Sequence, residues 1–255
     1  MRYTVLSFDL DGTLVDTAGE IADAANRTLA DFNLPVQPTA LITRLIGNGM
    51  HELMRKLLAQ VLLERSLCTV QWPVEAVLAR FEHHYAQTVG TTGQPFAGAA
   101  DALDRLQRSG VRLACVSNKE QRFAQRVLQG AGLAGYFELL IGGDSLAHKK
   151  PHRLVLDHVL QRLDGRADWA AHIGDSRTDV EAARNAGVAA WAVPYGYNAG
   201  EAITAAEPQR IFDKLTDIAD HVLAVNALAV NALAVNALAA RSPPVPLPPL
   251  KLDAA

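Results

Sequence analysis

Five short apolar runs, each ending in a loop of small, polar or turn-forming residues, constrain this chain more than any other feature. They are Tyr3–Phe8 before Asp9-Leu10-Asp11-Gly12-Thr13, Val111–Val116 before Ser117-Asn118, Phe137–Ile141 before Gly142-Gly143-Asp144, Ala170–Ile173 before Gly174-Asp175, and Val188–Val193 before Pro194. Runs this short, rich in apolar and β-branched residues, read as buried strands. Helical patterns lie between the later ones: Leu103 and Leu106; Phe123, Val127 and Leu128; Leu154, Val155, Val159 and Leu163; and Val180 to Ala186. Strands alternating with helices in this way imply a parallel α/β sheet with helices on both faces and right-handed crossovers.

The distance between the first two strands is too great for one crossover helix. Residues 18–90 carry Ile21, Ala25, Leu29 and Phe32, then Leu53, Leu57 and Val61, then Val74, Val77, Leu78, Phe81 and Tyr85 at helical spacing, punctuated by Pro35, Pro38, Gly47, Gly49 and Pro73. The expectation is an all-helical insert over 17–95, with the α/β core made of 1–16 and 96–223. Ile211, Leu215, Ile218 and Val222 follow at i, i+4, i+7 and i+11, one face of a last helix over the sheet. Beyond it Val-Asn-Ala-Leu-Ala occurs at 225–229, 230–234 and 235–239, ahead of the proline-rich 242–249. A five-residue step turns a helix by about 140° beyond a full turn, so Asn226, Asn231 and Asn236 scatter around the axis. Residues 224–255 are therefore expected to be a low-complexity extension, frayed helix and then extended chain, dispensable for catalysis. Three asparagines and mostly alanine also argue against a membrane anchor in 222–240.

Chemistry concentrates at the strand ends, where open α/β sheets place their ligands. Asp9 and Asp11 lie two apart, and Gly12 supplies the freedom to turn both toward one centre. Asp175 follows the Ala170–Ile173 run and Asp179 opens the next helix. Asp9 and Asp175 together suit Mg²⁺, which takes hard oxygen ligands and keeps several waters. Ser117-Asn118 offers a hydroxyl, an amide and backbone N–H groups at a helix start, an anion cradle. One lysine of Lys149-Lys150-Pro151 can offset phosphate and carboxylate charge. Each feature alone has a plainer reading as a turn, a helix cap or a solvated surface charge; their recurrence at four strand ends favours a site.

Composition excludes other classes. With 24 basic and 27 acidic side chains, a net charge of −3, there is no basic domain for nucleic acid. Cys68 and Cys115 are too few and too far apart for a disulfide framework or a cysteine zinc site, and read as packing residues in a reduced, cytoplasmic setting. The N-terminus reaches Asp9 before any apolar run long enough for an export signal.

In that order, Asp-Leu-Asp-Gly-Thr, Ser-Asn, Lys-Pro and Gly-Asp-Ser-x-x-Asp resemble the haloacid dehalogenase superfamily over residues 3 to about 195. The Lys-Pro motif, the helical insert and Arg44-Leu45-Ile46-Gly47-Asn48-Gly49 are similar to the bacterial phosphoglycolate phosphatases, whose helical cap the insert resembles. The resemblance implies a Rossmann-like core with a cap, and a Mg²⁺-dependent phosphomonoester hydrolase working through an aspartyl-phosphate. Its substrate would be a small phosphorylated metabolite, first of all 2-phosphoglycolate.

Asp9 would be the nucleophile and a metal ligand. Asp11 would be general acid and base, with its backbone carbonyl on the metal, and Asp175 the third ligand. Ser117 and Lys150 would hold the phosphoryl group with Asn118 nearby, and Asp179 would orient Lys150 or metal-bound water. Lys150 is chosen over Lys149 because the residue directly before the proline is the functional one in the family. In the cap, Arg44 could grip a substrate carboxylate, with Asn48 beside it; a surface arginine is an equal reading. His51, His83 and His84 read as helix-face residues. Asp11 argues against the dehalogenase branch, which resembles tyrosine there. Thr13, where phosphosugar mutases often have valine, weighs slightly for hydrolysis, and the full set of aspartates weighs against a non-catalytic phosphate-binding protein. Monomer and homodimer both stay open.

Overall fold

The computed structural model describes residues 2–64 and 73–239, the last seven as backbone only; Cys68 and the proline-rich 242–249 lie outside the described residues. Strand β1 (Val5–Phe8) leads through the aspartate loop to β2 (Val15–Asp16). Helices α1 (Ala18–Asp31), α2 (Thr39–Thr43), α3 (Met50–Glu64) and α4 (Val74–Thr88) come before β3 (Gln94–Pro95). Then follow α5 (Ala99–Arg108), β4 (Arg112–Val116), α6 (Gln121–Gly130), β5 (Leu139–Ile141), α7 (Leu154–Arg162), β6 (Ala170–Gly174), α8 (Arg177–Ala186), β7 (Ala189–Ala192), β8 (Arg210–Ile211) and α9 (Leu215–Ala239).

The main sheet runs β5-β4-β1-β6-β7-β8, with every pair parallel. Phe8 of β1 lies opposite both Cys115 of β4 and Ile173 of β6, so Asp9, Ser117 and Asp175 leave neighbouring strands at nearly one level. The chain builds outward from β1 to β4 and β5, then returns to its other side for β6. The crevice at that reversal is where ligands of open α/β sheets bind.

Alternation along the strands divides the core between the two faces. Leu6, Phe8, Leu113, Cys115 and Ile173 pack with Leu103 and Leu106 of α5, Phe123 and Val127 of α6, and Leu215, Ile218 and Val222 of α9. Val5, Ala114, Val116 and Ala190 pack with Val155, Leu156 and Val159 of α7 and Val180 and Ala183 of α8. The first cluster continues into the insert through Ile42, Met54, Leu57 and Phe81. The insert's two linkers pair as a short antiparallel ladder, Val15 with Pro95 and Asp16 with Gln94. Beside it the buried carboxylate of Glu20 accepts the backbone N–H groups of Gly90, Thr91, Thr92 and Gly93 at 2.7–3.0 Å. One side chain thus satisfies a whole turn of the second linker.

Two expectations are corrected. Ile211 does not lie on the last helix: it pairs with Ala192 in β8, and α9 begins only at Leu215. The open edge of β7 offers backbone partners that a helical count cannot register, and Phe212 N–H completes the pairing at 2.9 Å from Ala192 O. The repeat, in turn, carries α9 without a break to Ala239. Its first asparagine is not idle. Asn226 continues the Ile218–Val222 face, donating to Tyr3 O at 2.8 Å and accepting from Tyr3 N at 2.7 Å. Leu228 and Val230, off that face, are exposed. Among the described residues no helix is long and apolar enough to cross a membrane.

Candidate active site

The end of β1 delivers Asp9 into a buried cluster. Its Oδ1 accepts from Lys150 Nζ at 2.7 Å, and the same ammonium donates to Val116 O at 2.7 Å and Asp179 Oδ1 at 2.6 Å. An ammonium has three protons, so Lys150 is fully engaged. Asp179 is steadied three times more, by Ser176 N–H at 3.1 Å, by Ser176 Oγ at 2.5 Å and by the buried His172, whose Nε2 lies 3.3 Å away. His172 is held from behind by Ser7 Oγ at 2.9 Å. Burial alone would raise the Asp179 pKa, but Lys150 and His172 outweigh it and hold the carboxyl well below the usual range. Gly174 permits this closeness, since a Cβ there would lie 2.1 Å from Asp179 Cγ.

Asp175 completes the cluster from the end of β6. Thr13 Oγ1 donates to its Oδ1 at 3.1 Å and Tyr197 N–H to its Oδ2 at 2.6 Å. Gly12, at φ +86°, brings the aspartate loop against this carboxylate; a Cβ there would meet Asp175 Oδ2 at 2.5 Å. Burial, with Asp179 adding to it, pushes Asp175 up to about 7, and burial raises Asp9 well above the carboxylate range. One oxygen each of Asp9, Asp175 and Asp179 fall within 4.8 Å of one another. Three carboxylates thus share one ammonium, an excess of buried negative charge that a divalent cation would neutralise, and hard oxygen donors suit one.

Asp11 turns to the other side. Its Oδ1 accepts from Thr17 Oγ1 at 2.6 Å and Lys119 Nζ at 2.8 Å. Lys119 also donates to the hydroxyl of Tyr85, on α4 of the insert, at 2.8 Å. Burial works against this ammonium, and the Asp11 and Tyr85 oxygens outweigh it, so its pKa stands above the ordinary lysine value. Between the two sides lies a narrow pocket of about 30 Å³. Asp9, Asp11, Ser117, Asn118 and Lys119 form its floor, and Ile21, Ile46, Met50 and Leu53 its insert wall.

The remaining sequence candidates fall unevenly. Ser117 lines the pocket. Asn118 does too, but its amide protons go to Gly47 O and Lys150 O, both at 3.0 Å, so it braces the insert's Gly47-Asn48-Gly49 turn rather than presenting a donor. Asn48 gives its carbonyl to Lys149 Nζ at 2.6 Å and lines a neighbouring cleft. Arg44 is exposed and packs by Gly200, where a Cβ would lie 3.1 Å from its Nε. It does not line the pocket: a glycine-rich turn can bend either way, and this one carries Arg44 toward the 194–203 loop.

A family model described as haloacid dehalogenase-like hydrolase matches residues 6–193. The chain belongs to this family. A phosphoglycolate phosphatase of Pectobacterium atrosepticum is 38% identical over 213 residues, covering 84% of this chain and 89% of the relative. The plasmid phosphoglycolate phosphatase of Cupriavidus necator is 41% identical over 194 residues, covering 76% and 82%. Among solved structures, a predicted phosphoglycolate phosphatase from Haemophilus somnus superposes with a TM-score of 0.81 at 28% identity, covering 86% of this chain and 97% of that one.

In this haloacid dehalogenase-like hydrolase, sequence reasoning missed Lys119, Tyr85, His172, Tyr197 and Glu20. Lys119 had a signal, lying directly after Ser117-Asn118 at a strand end. Tyr85 was read only as a packing position on its helix, and His172 sits mid-strand with nothing to mark it.

Proposed function

We propose that this enzyme is a Mg²⁺-dependent phosphomonoester hydrolase that acts on 2-phosphoglycolate through an aspartyl-phosphate in the cytoplasm. The observation that carries the reading is the pairing of Asp9, in a carboxylate-rich cluster at the strand ends, with Asp11 in one small pocket. Asp9 attacks phosphorus in line, and the bond from phosphorus to the ester oxygen breaks. Asp11 gives that oxygen a proton, then takes one from the water that splits the aspartyl-phosphate. Lys119 and Thr17 both donate to Asp11 Oδ1, so Oδ2 is the atom left to carry the proton. The carboxylates of Asp9 and Asp175 and the backbone carbonyl of Asp11 would hold Mg²⁺, which when bound neutralises charge on the phosphoryl oxygens. Ser117, which lines the pocket, would donate to the same group.

The substrate reading draws on the relatives' names. Asp11 favours phosphate chemistry over dehalogenation, where no leaving-group acid is needed. In a Mg²⁺-replete assay, Asp9→Asn is expected to abolish release of phosphate from 2-phosphoglycolate while the variant keeps its fold by circular dichroism. Mass spectrometry of acid-quenched wild-type enzyme is expected to find a phosphoryl group on Asp9. Turnover by Asp9→Asn beyond a trace would overturn the mechanism.

A further inference from the structure

An ester with a second anionic group needs a cation in the pocket, and the pocket shows where it comes from. The insert wall of Ile21, Ile46, Met50 and Leu53 is apolar. Arg44 is exposed beside Gly200, Lys149 is tied to the Asn48 carbonyl outside the pocket, and all three protons of Lys150 are engaged. Lys119 differs from each of them. It lines the pocket, its side chain is 2% exposed, and Asp11 and Tyr85 take two of its three protons. The third has no partner among the described residues.

We infer that Lys119 is the residue that binds the carboxylate of the substrate, through the proton that neither Asp11 nor Tyr85 takes. The inference deepens the phosphoglycolate reading and rests on it. In 2-phosphoglycolate a single methylene separates the carboxylate from the ester oxygen, which is the oxygen Asp11 protonates. A group bonded to Asp11 at 2.8 Å is therefore beside the place that carboxylate must occupy. A lysine shared between two carboxylates has a precedent in the same molecule, since Lys150 bridges Asp9 and Asp179. A contact made by so buried an ammonium is stronger and more selective than one at the rim.

Tyr85 gives the subsite a second property. It is fully buried, packed edge-on to Phe123 of α6 with ring centres 5.1 Å apart, while its hydroxyl reaches Lys119. Lys119 belongs to the core and Tyr85 to the insert, so the ammonium is aimed only when α4 is docked on α6. Tyr85 is thus a positioning residue for the carboxylate contact.

The test compares 2-phosphoglycolate with ethyl phosphate, which has a methyl group in place of the carboxylate and keeps a two-carbon alkoxide leaving group. Lys119→Met is expected to lower kcat/KM for phosphoglycolate by about 100-fold and for ethyl phosphate by about tenfold or less, mostly through KM on the former. Tyr85→Phe, which removes one oxygen and keeps the packing, is expected to move the ratio of the two esters in the same direction by about fivefold. Arg44→Ala is expected to leave that ratio where it is. Equal losses on both esters in Lys119→Met would mean that Lys119 serves Asp11 alone, and would overturn the inference; so would loss of the preference in Arg44→Ala. A wild-type enzyme that hydrolyses both esters without preference would instead overturn phosphoglycolate as the substrate.

Discussion

Two buried lysines flank the aspartate loop, one bonded to Asp9 and the other to Asp11, and they are bonded differently. Lys150 gives its three protons to Asp9, Asp179 and the Val116 carbonyl, all core groups at or near strand ends. Lys119 gives one proton to Asp11 and one to Tyr85 of the insert, and keeps one for the pocket. The first is closed and belongs wholly to the sheet; the second is open and is completed across the boundary with the insert. An identical side chain, equally buried, is closed off by core groups in one place and left with a proton to donate in the other. The difference is the number of its protons already bonded.

The sharpest way to break this comparison is Lys150→Met. Removing the ammonium leaves Asp9 and Asp179 facing each other without compensation, which costs about 3–5 kcal/mol. Activity on phosphoglycolate and on ethyl phosphate is expected to fall together by about a thousandfold or more, because positioning and charge at the reacting phosphorus are lost. A selective loss on phosphoglycolate alone would exchange the roles assigned to the two lysines. Steady-state kinetics on both esters, with thermal melting as the stability readout, check the outcome.

A smaller effect sharpens the charge contrast. The Lys150 side holds three carboxylates around one ammonium, whereas Lys119 faces one carboxylate. Asp175 stands at about 7 in the folded protein and Asp9 is raised well above its usual range, against an ordinary aspartate value of about 3.9 in the unfolded chain. The folded state thus binds more protons than the unfolded state between about pH 4 and 7, so metal-free stability falls as pH rises through that window. Asp179, held low, acts in the opposite sense, and its contribution is lost only in stronger acid. In EDTA the melting temperature is expected to drop between about pH 4 and 7, and added Mg²⁺ is expected to flatten that slope. A metal-free melting temperature that rises over this interval would contradict the charge balance.

The smallest effect belongs to a change that touches neither lysine. Ending the chain at Leu223 removes Asn226 and its two hydrogen bonds to Tyr3. Denaturant unfolding is expected to show a loss of about 1–3 kcal/mol, the size expected for two such bonds. The kcat/KM values on both esters stay at the wild-type level. A several-fold loss of activity would show that α9 supports the site as well as the sheet.

What the sequence determined by itself was the sheet and its row of strand-end groups. Short β-branched runs alternating with helical periods admit few arrangements, and parallel strands in register place the residue after each strand at a common level. Asp9, Ser117 and Asp175 are legible for that reason, since their position follows from local pattern plus one topological rule. The helical insert was legible as a long periodic interruption, though the residues that clasp it were not. Glu20 reads as an ordinary acid in the first turn of a helix until four backbone N–H groups arrive from residues 90–93.

Tertiary structure decided everything that depends on two distant segments meeting. Lys119 and Tyr85 are 34 residues apart, and nothing in either local pattern tells which way an ammonium or a phenol will face. Arg44 shows the same limit from the other direction: its charge and its glycine-rich neighbourhood suit a carboxylate grip, yet the turn carries it to Gly200. Periodicity reports which face of an element is buried, because burial of apolar area is a property summed over many residues. A hydrogen bond is a property of two atoms within about 3 Å, so its partner is fixed only when the packed elements have set the distance.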